Sequence, residues 1–206
     1  MRDDHVRAIG FNYGQNHIRE LHSATEICAA VDVPYTVFDL DQRPFLGSAL
    51  TGGPDVPHGH YADENMKMTI VPNRNAVLLA TAFAYAVSIG ATRVAIATHA
   101  GDHPIYPDCR PSFMMAFQTM QDRALGEGNE IALWTPYINI SKASIVETGY
   151  VLGVPYEKTW SCYEGGEIHC GRCGTCVERK EAFREACVID PTSYRDEDFE
   201  VAAYRG

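Results

Sequence analysis

The chain lacks several features that would have fixed its class at once. No apolar run approaches the roughly 18 residues that span a bilayer, so no membrane segment is expected. The opening Met1-Arg-Asp-Asp-His-Val6 carries acids where a secretory signal would be apolar, which points to the cytoplasm and to reduced thiols. Basic residues are in deficit. Seventeen Lys and Arg against 27 Asp and Glu leave a formal charge of −10, which excludes broad attraction to nucleic acid, although a local basic pocket for a nucleotide remains open. There is no internal repeat, low-complexity tract or Pro/Ser-rich linker to mark a domain boundary. At 206 residues, with roughly 150 residues as the usual domain size, one domain with a small appendage is expected.

What is present is an alternation of strands and helices. Val6–Phe11 reads as a strand ending in a Tyr13-Gly-Gln-Asn turn. Ile18, Leu21, Ile27, Cys28 and Val31 recur near the helical period, and Tyr35–Leu40 is β-branched and aromatic enough for a second strand. Residues 41–69 hold Gly, Pro and Asp without clear period, as a functional or mobile loop would. Asn75–Ile89 is apolar nearly all round, predicting a buried helix closed by Gly90. Thr92–Thr98 is a short strand, followed by a polar loop from His99 to Arg110 and a helix from Pro111. Glu130–Thr135 is a further strand, Ser141 caps a helix to about Leu152, and a last helix covers about Val177 to Cys187. Such an order implies an α/β fold with a doubly wound parallel sheet, whose ligands bind beyond the C-terminal strand ends.

The densest chemistry lies in Ser161–Cys176, where Cys162, Cys170, Cys173 and Cys176 follow a Cys-x7-Cys-x2-Cys-x2-Cys spacing. Four thiolates at about 2.3 Å complete a tetrahedral zinc ion, with no open position for substrate, so a structural metal is expected. An iron–sulfur cluster is the alternative that four thiolates also allow. Two disulfides suit a reducing compartment poorly, and a redox Cys-x-x-Cys pair would leave two cysteines unexplained. His169 could replace one thiol, but it adjoins Cys170. Cys28, Cys109 and Cys187 read as small hydrophobes rather than reactive groups.

With that segment in place, other stretches fall into a known order: Phe11–His17, Gly47–Thr51, Val71–Asn75, Tyr106-Pro-Asp-Cys-Arg110, Ser141-Lys142 and Thr159-Trp-Ser-Cys-Tyr163. Together they resemble the 7-cyano-7-deazaguanine synthase family of the PP-loop ATP pyrophosphatase superfamily. The resemblance implies an adenine-nucleotide alpha-hydrolase-like domain over 1–158 and a zinc-binding segment with a C-terminal helix over 159–206. It implies conversion of 7-carboxy-7-deazaguanine, ammonia and ATP to the nitrile in queuosine or related deazapurine biosynthesis, with Mg2+, structural Zn2+ and a homodimer. No direct nucleic-acid partner is expected.

In that setting Arg74, with Tyr13 and Gln15, is expected to bind the nucleotide, and Lys142 and Arg110 to act in catalysis. Asp102, Asp108 and Arg110 are expected to bind substrate, since they follow a strand end. His99 and His103 could shuttle a proton or bind metal, although a loop histidine is more often solvated or structural.

One family feature is missing. The resemblance implies a Ser-Gly-Gly-x-Asp-Ser loop after a first strand, cradling the ATP phosphates at a helix N-terminus, and the sequence contains no such run. The chain therefore reads as lacking its first strand, with the coding DNA expected to continue in frame upstream for about 25–40 codons, the length of a strand, turn and helix. A non-catalytic deazaguanine-binding remnant and another PP-loop ligase or RNA-modifying thiolase are the alternatives.

Overall fold

The computed structural model describes residues 5–61, 64–128 and 130–199. The first residues, and 200–206 of the expected zinc segment, lie outside them. The chain divides into two compact units, one of residues 1–71 with 146–206 and one of 72–145.

In the first unit, strand β1 (Ala8–Asn12) pairs in parallel with β2 (Tyr35–Asp39), Ala8 opposite Tyr35 and Asn12 opposite Asp39. Helix α1 (Arg19–Ala30) makes the crossover and packs on both strands, as a parallel pair requires. Asp32, in the left-handed region at φ 54°, turns the chain back after α1.

The 41–69 segment departs from the expected aperiodic loop. It contains two 3-10 turns, Arg43–Phe45 and Glu64–Thr69, and buries Phe45, Leu50, Tyr61 and Met66. Polar side chains tie it down through the backbone. Thr51 Oγ1 donates to the Phe45 carbonyl (2.5 Å), Ser48 Oγ to that of Met68 (3.2 Å), and Asn16 Nδ2 to that of Ala49 (3.0 Å). Periodicity fails here because scattered side-chain-to-backbone bonds, two of them between residues far apart in sequence, satisfy the polar groups in place of a repeating ladder. Phe45, Leu50, Val71 and Tyr13 form one apolar cluster.

In the second unit, β3 (Arg93–Ala95) pairs in parallel with β4 (Ala132–Trp134) across helix α3 (Pro111–Leu125). Pro111 begins α3 where its missing N–H costs nothing, and Gly126 ends it. Helix α2 (Arg74–Ser88) buries Leu79, Ala82, Phe83 and Ala86. It is not buried all round as its composition suggested. Val77 and Val87 are more than a third exposed, because the large side chains form a single stripe at 79, 83 and 86. Phe83 meets Phe117 of α3 edge-on at 5.7 Å.

Helix α4 (Lys142–Val151) starts in the second unit and ends in the first. Helix α5 (Gly174–Glu185) begins three residues before the expected Val177, because the cysteine-bearing turn runs directly into it with Cys173 as N-cap. The α/β character and the parallel strands agree with expectation. One continuous sheet is not seen: among the described residues the strands pair two by two. No helix among these residues is long and apolar enough to cross a membrane.

Candidate functional site

The cysteine segment closes on itself. Cys162, Cys170, Cys173 and Cys176 are at most 1% exposed, and their Sγ atoms all lie within 4.8 Å of one another. A tetrahedral ion with bonds near 2.3 Å needs sulfurs about 3.8 Å apart. The Cys170 and Cys176 sulfurs are 3.9 Å apart. The set fits a single Zn2+ ion, and every cysteine in the chain is free of disulfide linkage.

Backbone amides point at the sulfurs: Cys170 N donates to Cys162 Sγ (3.3 Å), and Arg172 N and Cys173 N to Cys170 Sγ (3.3 and 3.2 Å). Such donors favour thiolate over thiol. Hydrogen bonds among the sulfurs pull the Cys173 thiol down, chiefly through Cys162, and push Cys170 and Cys176 up, so without an ion the four sulfurs share protons unevenly. Two glycines make the turn possible. Gly171 has φ +83°, and a Cβ there would lie 2.2 Å from the Asp196 carbonyl oxygen; Gly165, at φ +73°, would strike the Asn16 carbonyl at 2.7 Å.

His169 is no ligand. Its Nε2 accepts a hydrogen bond from the Ser161 amide (3.1 Å), and its ring lies 4.1 Å from Trp160 and 5.7 Å from Tyr194. Burial, then the Arg179 charge, lowers its pKa to about 4, so the ring is neutral.

Behind the cysteines lies a polar network that the sequence did not disclose. Arg179, 5% exposed, donates through Nε to both oxygens of Asp190 (3.1 Å each) and through Nη1 to Thr159 Oγ1 (2.6 Å). Tyr194 OH donates to Asp190 Oδ2 at 2.6 Å. An Arg within Glu178-Arg-Lys180 looks like a solvated helix face, and no spacing rule points to Asp190.

The second unit gathers the other candidates after β3. Asn75, in the first turn of α2, donates its backbone N–H to Asp108 Oδ2 (2.9 Å) and its amide to the Asp108 carbonyl (3.3 Å) and Cys109 Sγ (3.2 Å). The Asp108 carboxylate thus sits against the positive end of α2, a favourable place for an anion. Burial, followed by the Asp102 and Asp108 charges, pushes the Cys109 thiol up to about 12, against an opposing effect of Arg74. Arg74, Asp102 and Asp108 therefore all act on one buried sulfur, and Arg110 follows it in the chain. Arg110 Nε donates to the His103 carbonyl (2.9 Å).

Asp102 has a local task. Its Oδ2 accepts from the His99 amide (3.0 Å), its Oδ1 lies 3.4 Å from His99 Nε2, and His99 Nδ1 accepts from Gly101 N (3.1 Å). This is a reciprocal cap on a short 3-10 turn, Ala100–Asp102. The turn is anchored where Ala100 N donates to the Ile140 carbonyl (3.1 Å), two residues before Lys142 opens α4.

Tyr13 and Gln15 belong to the first unit. Gln15 is 4% exposed, and its amide is engaged with Tyr13 N, the Phe11 carbonyl and Glu20, closing the turn after β1. The Tyr13 ring packs edge-on to Phe45 at 5.4 Å.

The geometry agrees with comparisons to known proteins. The family profile described as "Queuosine biosynthesis protein QueC" matches residues 1–187. A protein of Rhizobium meliloti (strain 1021) named 7-cyano-7-deazaguanine synthase is 54% identical over 197 residues, covering 95% of this chain and 84% of that protein. One of Mesorhizobium japonicum, named 7-cyano-7-deazaguanine synthase 1, is 53% identical over 94% of this chain and 84% of its own length. One of Paracoccus denitrificans (strain Pd 1222), named 7-cyano-7-deazaguanine synthase, is 52% identical with the same coverage of both chains. A match of this extent, in a chain that folds its four spaced cysteines into one buried cluster, establishes that the chain belongs to the QueC family.

Proposed function

We propose that this chain carries out the ATP-dependent conversion of 7-carboxy-7-deazaguanine and ammonia to 7-cyano-7-deazaguanine. The observation that carries the reading is the joining of the segment after a parallel strand to the first turn of α2, where the Asn75 amides bind Asp108 and Cys109, with Arg74 and Arg110 adjacent to them in the chain. Ligands of open α/β sheets bind beyond such strand ends. The relatives' names supply the substrate.

A carboxylate is a poor acyl donor because its leaving group would be oxide. Transfer of AMP from ATP to a carboxylate oxygen releases pyrophosphate and leaves an acyl adenylate. Ammonia then attacks the carbonyl carbon, expels AMP and loses a proton, giving the amide. A second ATP adenylates the amide oxygen with release of pyrophosphate, and departure of AMP with loss of both N–H protons forms the nitrile. In this scheme Arg110 holds the substrate carboxylate by its guanidinium fork. Lys142 and Arg74 neutralise charge growing on the phosphates, and Asp102 and Asp108 accept from the guanine-type N–H groups. Tyr13 and Gln15 shape the turn against which the nucleotide lies. Mg2+ would supply further charge neutralisation on the triphosphate. Residues 1–158 serve nucleotide and substrate, and 159–206 hold one Zn2+ that four thiolates close off from chemistry. The active form is a homodimer.

Pyrophosphate release with 7-carboxy-7-deazaguanine and ammonia tests the reading. Arg110→Ala should raise the substrate KM, and Lys142→Ala should slow turnover by about 100-fold with zinc content unchanged. Unchanged rates in both variants remove these residues from the site. Substrate binding without any turnover supports a non-catalytic binding protein instead.

A further inference from the structure

Buried polar atoms almost always have hydrogen-bond partners, because a donor or acceptor stripped of water and left unpaired destabilises the fold. Two exceptions fall in one stretch of the second unit. Thr98 ends the run that follows β3; it is 5% exposed, and its Oγ1 is buried without a hydrogen-bond partner. His103 closes the 3-10 turn that starts two residues later, and its Nε2 is likewise buried without one. Neither is used by the cap between His99 and Asp102, which satisfies its own atoms.

The backbone around them is firmly placed. Ile96 N donates to the Trp134 carbonyl (3.1 Å), carrying the ladder past the end of β3 toward Thr98. His103 N donates to the Ala100 carbonyl (3.4 Å), and its carbonyl accepts from Arg110 Nε (2.9 Å). His103 is thus bonded to the side chain assigned to the substrate carboxylate. A threonine hydroxyl both donates and accepts, and a neutral imidazole nitrogen does one or the other according to its tautomer. A pyrimidinone ring offers the matching set, a lactam carbonyl beside N–H donors.

We propose that Thr98 Oγ1 and His103 Nε2 are the groups that recognise the pyrimidinone edge of the deazaguanine substrate, an inference that rests on the function proposed above. In the free protein they are held unpaired in the segment that follows β3, and the bound base completes their hydrogen bonds. They set specificity: a 7-deazapurine carboxylate lacking the lactam carbonyl would leave both atoms orphaned and be rejected, as sites built to pair a polar group reject analogues without it.

The test is calorimetric binding of 7-carboxy-7-deazaguanine to the full chain, with thermal unfolding measured alongside. Thr98→Val, which keeps the shape and removes the hydroxyl, should weaken binding about 10-fold while leaving the melting temperature unchanged or raised. Thr98→Ser should restore binding. His103→Leu should weaken binding to a similar degree, and His103→Gln, whose amide nitrogen falls near the position of Nε2, should recover most of it. Wild-type binding with undiminished affinity in both Thr98→Val and His103→Leu overturns the assignment and leaves the function standing. So does a lowered melting temperature in Thr98→Val, which would mean that the hydroxyl already has a partner inside the protein. No binding by the wild-type chain overturns the assignment and the proposed substrate together.

Discussion

The cysteine segment and the loop after β3 answer the demand for polar pairing differently. In the first, Arg179, Asp190, Thr159 and Tyr194 bond to one another, backbone amides bond to the sulfurs, and His169 spends its acceptor on a backbone amide. Arg172 Nε, between two of the cysteines in sequence, is buried there without a hydrogen-bond partner. In the second, a cap satisfies His99 and Asp102 while Thr98 Oγ1 and His103 Nε2 stay unpaired. Under the proposal above, the bonds left open after β3 are the ones a substrate completes, whereas the paired network behind the cysteines serves the stability of its own segment.

Removing one thiolate is the most severe way to break that contrast. Cys176→Ser should abolish stoichiometric zinc and release the C-terminal segment, since structural zinc sites carry an apparent binding free energy of about 10 kcal/mol or more that is also folding free energy. Hydrogen exchange should show lost protection through residues 159–199 while α2 and α3 keep theirs. Equal loss in both units would show that the metal segment is not energetically self-contained.

A smaller effect is expected from Asp190→Asn, which strands the buried Arg179 charge and should cost about 3–5 kcal/mol in chemical denaturation. Burial raises the Asp190 pKa, but the hydrogen bonds from Arg179 and Tyr194 outweigh it, and the net shift is downward. A depressed carboxyl stabilises the fold above its unfolded pKa of about 3.9 and loses that contribution as pH falls through the folded value. The wild-type chain should carry this acid-sensitive component and the Asn variant should lack it.

The smallest effect belongs to the other region and has the opposite sign. The Cys109 thiol, raised by burial to about 12, stabilises fully below its unfolded pKa of about 8.5 and loses that contribution as pH rises toward the folded value. Cys109→Ala should cost about 1 kcal/mol at neutral pH and flatten the alkaline loss of stability in the second unit. An unchanged alkaline slope would mean that the thiol does not govern it.

The sequence made the metal segment readable because all four ligands lie within one short stretch and zinc tolerates few spacings. It also carried the order of helices and strands, since 3.6- and 2-residue periods survive without tertiary context. It did not show which buried polar atoms go unpaired. Thr98 looked like the last residue of a strand and His103 like an ordinary loop histidine, and only burial without a partner distinguishes them. Gln15 was readable as turn or ligand; its amide proves to be engaged within the turn. The ordered core in 41–69 was hidden because Ser48, Thr51 and Asn16 bond to backbone carbonyls and leave no period. Arg179 and Asp190 meet across the end of α5, a contact that no local pattern encodes.

The two tryptophans of the chain fall one in each unit. Trp134 lies in β4 and is 51% exposed. Trp160 packs against His169 at 4.1 Å with the rings tilted by 39°, and donates its indole N–H to the Cys162 carbonyl at 2.9 Å. Intrinsic fluorescence is therefore a two-channel reporter without any label. The solvent-facing indole emits at longer wavelength and follows the second unit. The other is bonded to the backbone of a metal ligand, so its emission registers capture or loss of the ion, and a Trp134→Phe background would isolate that signal.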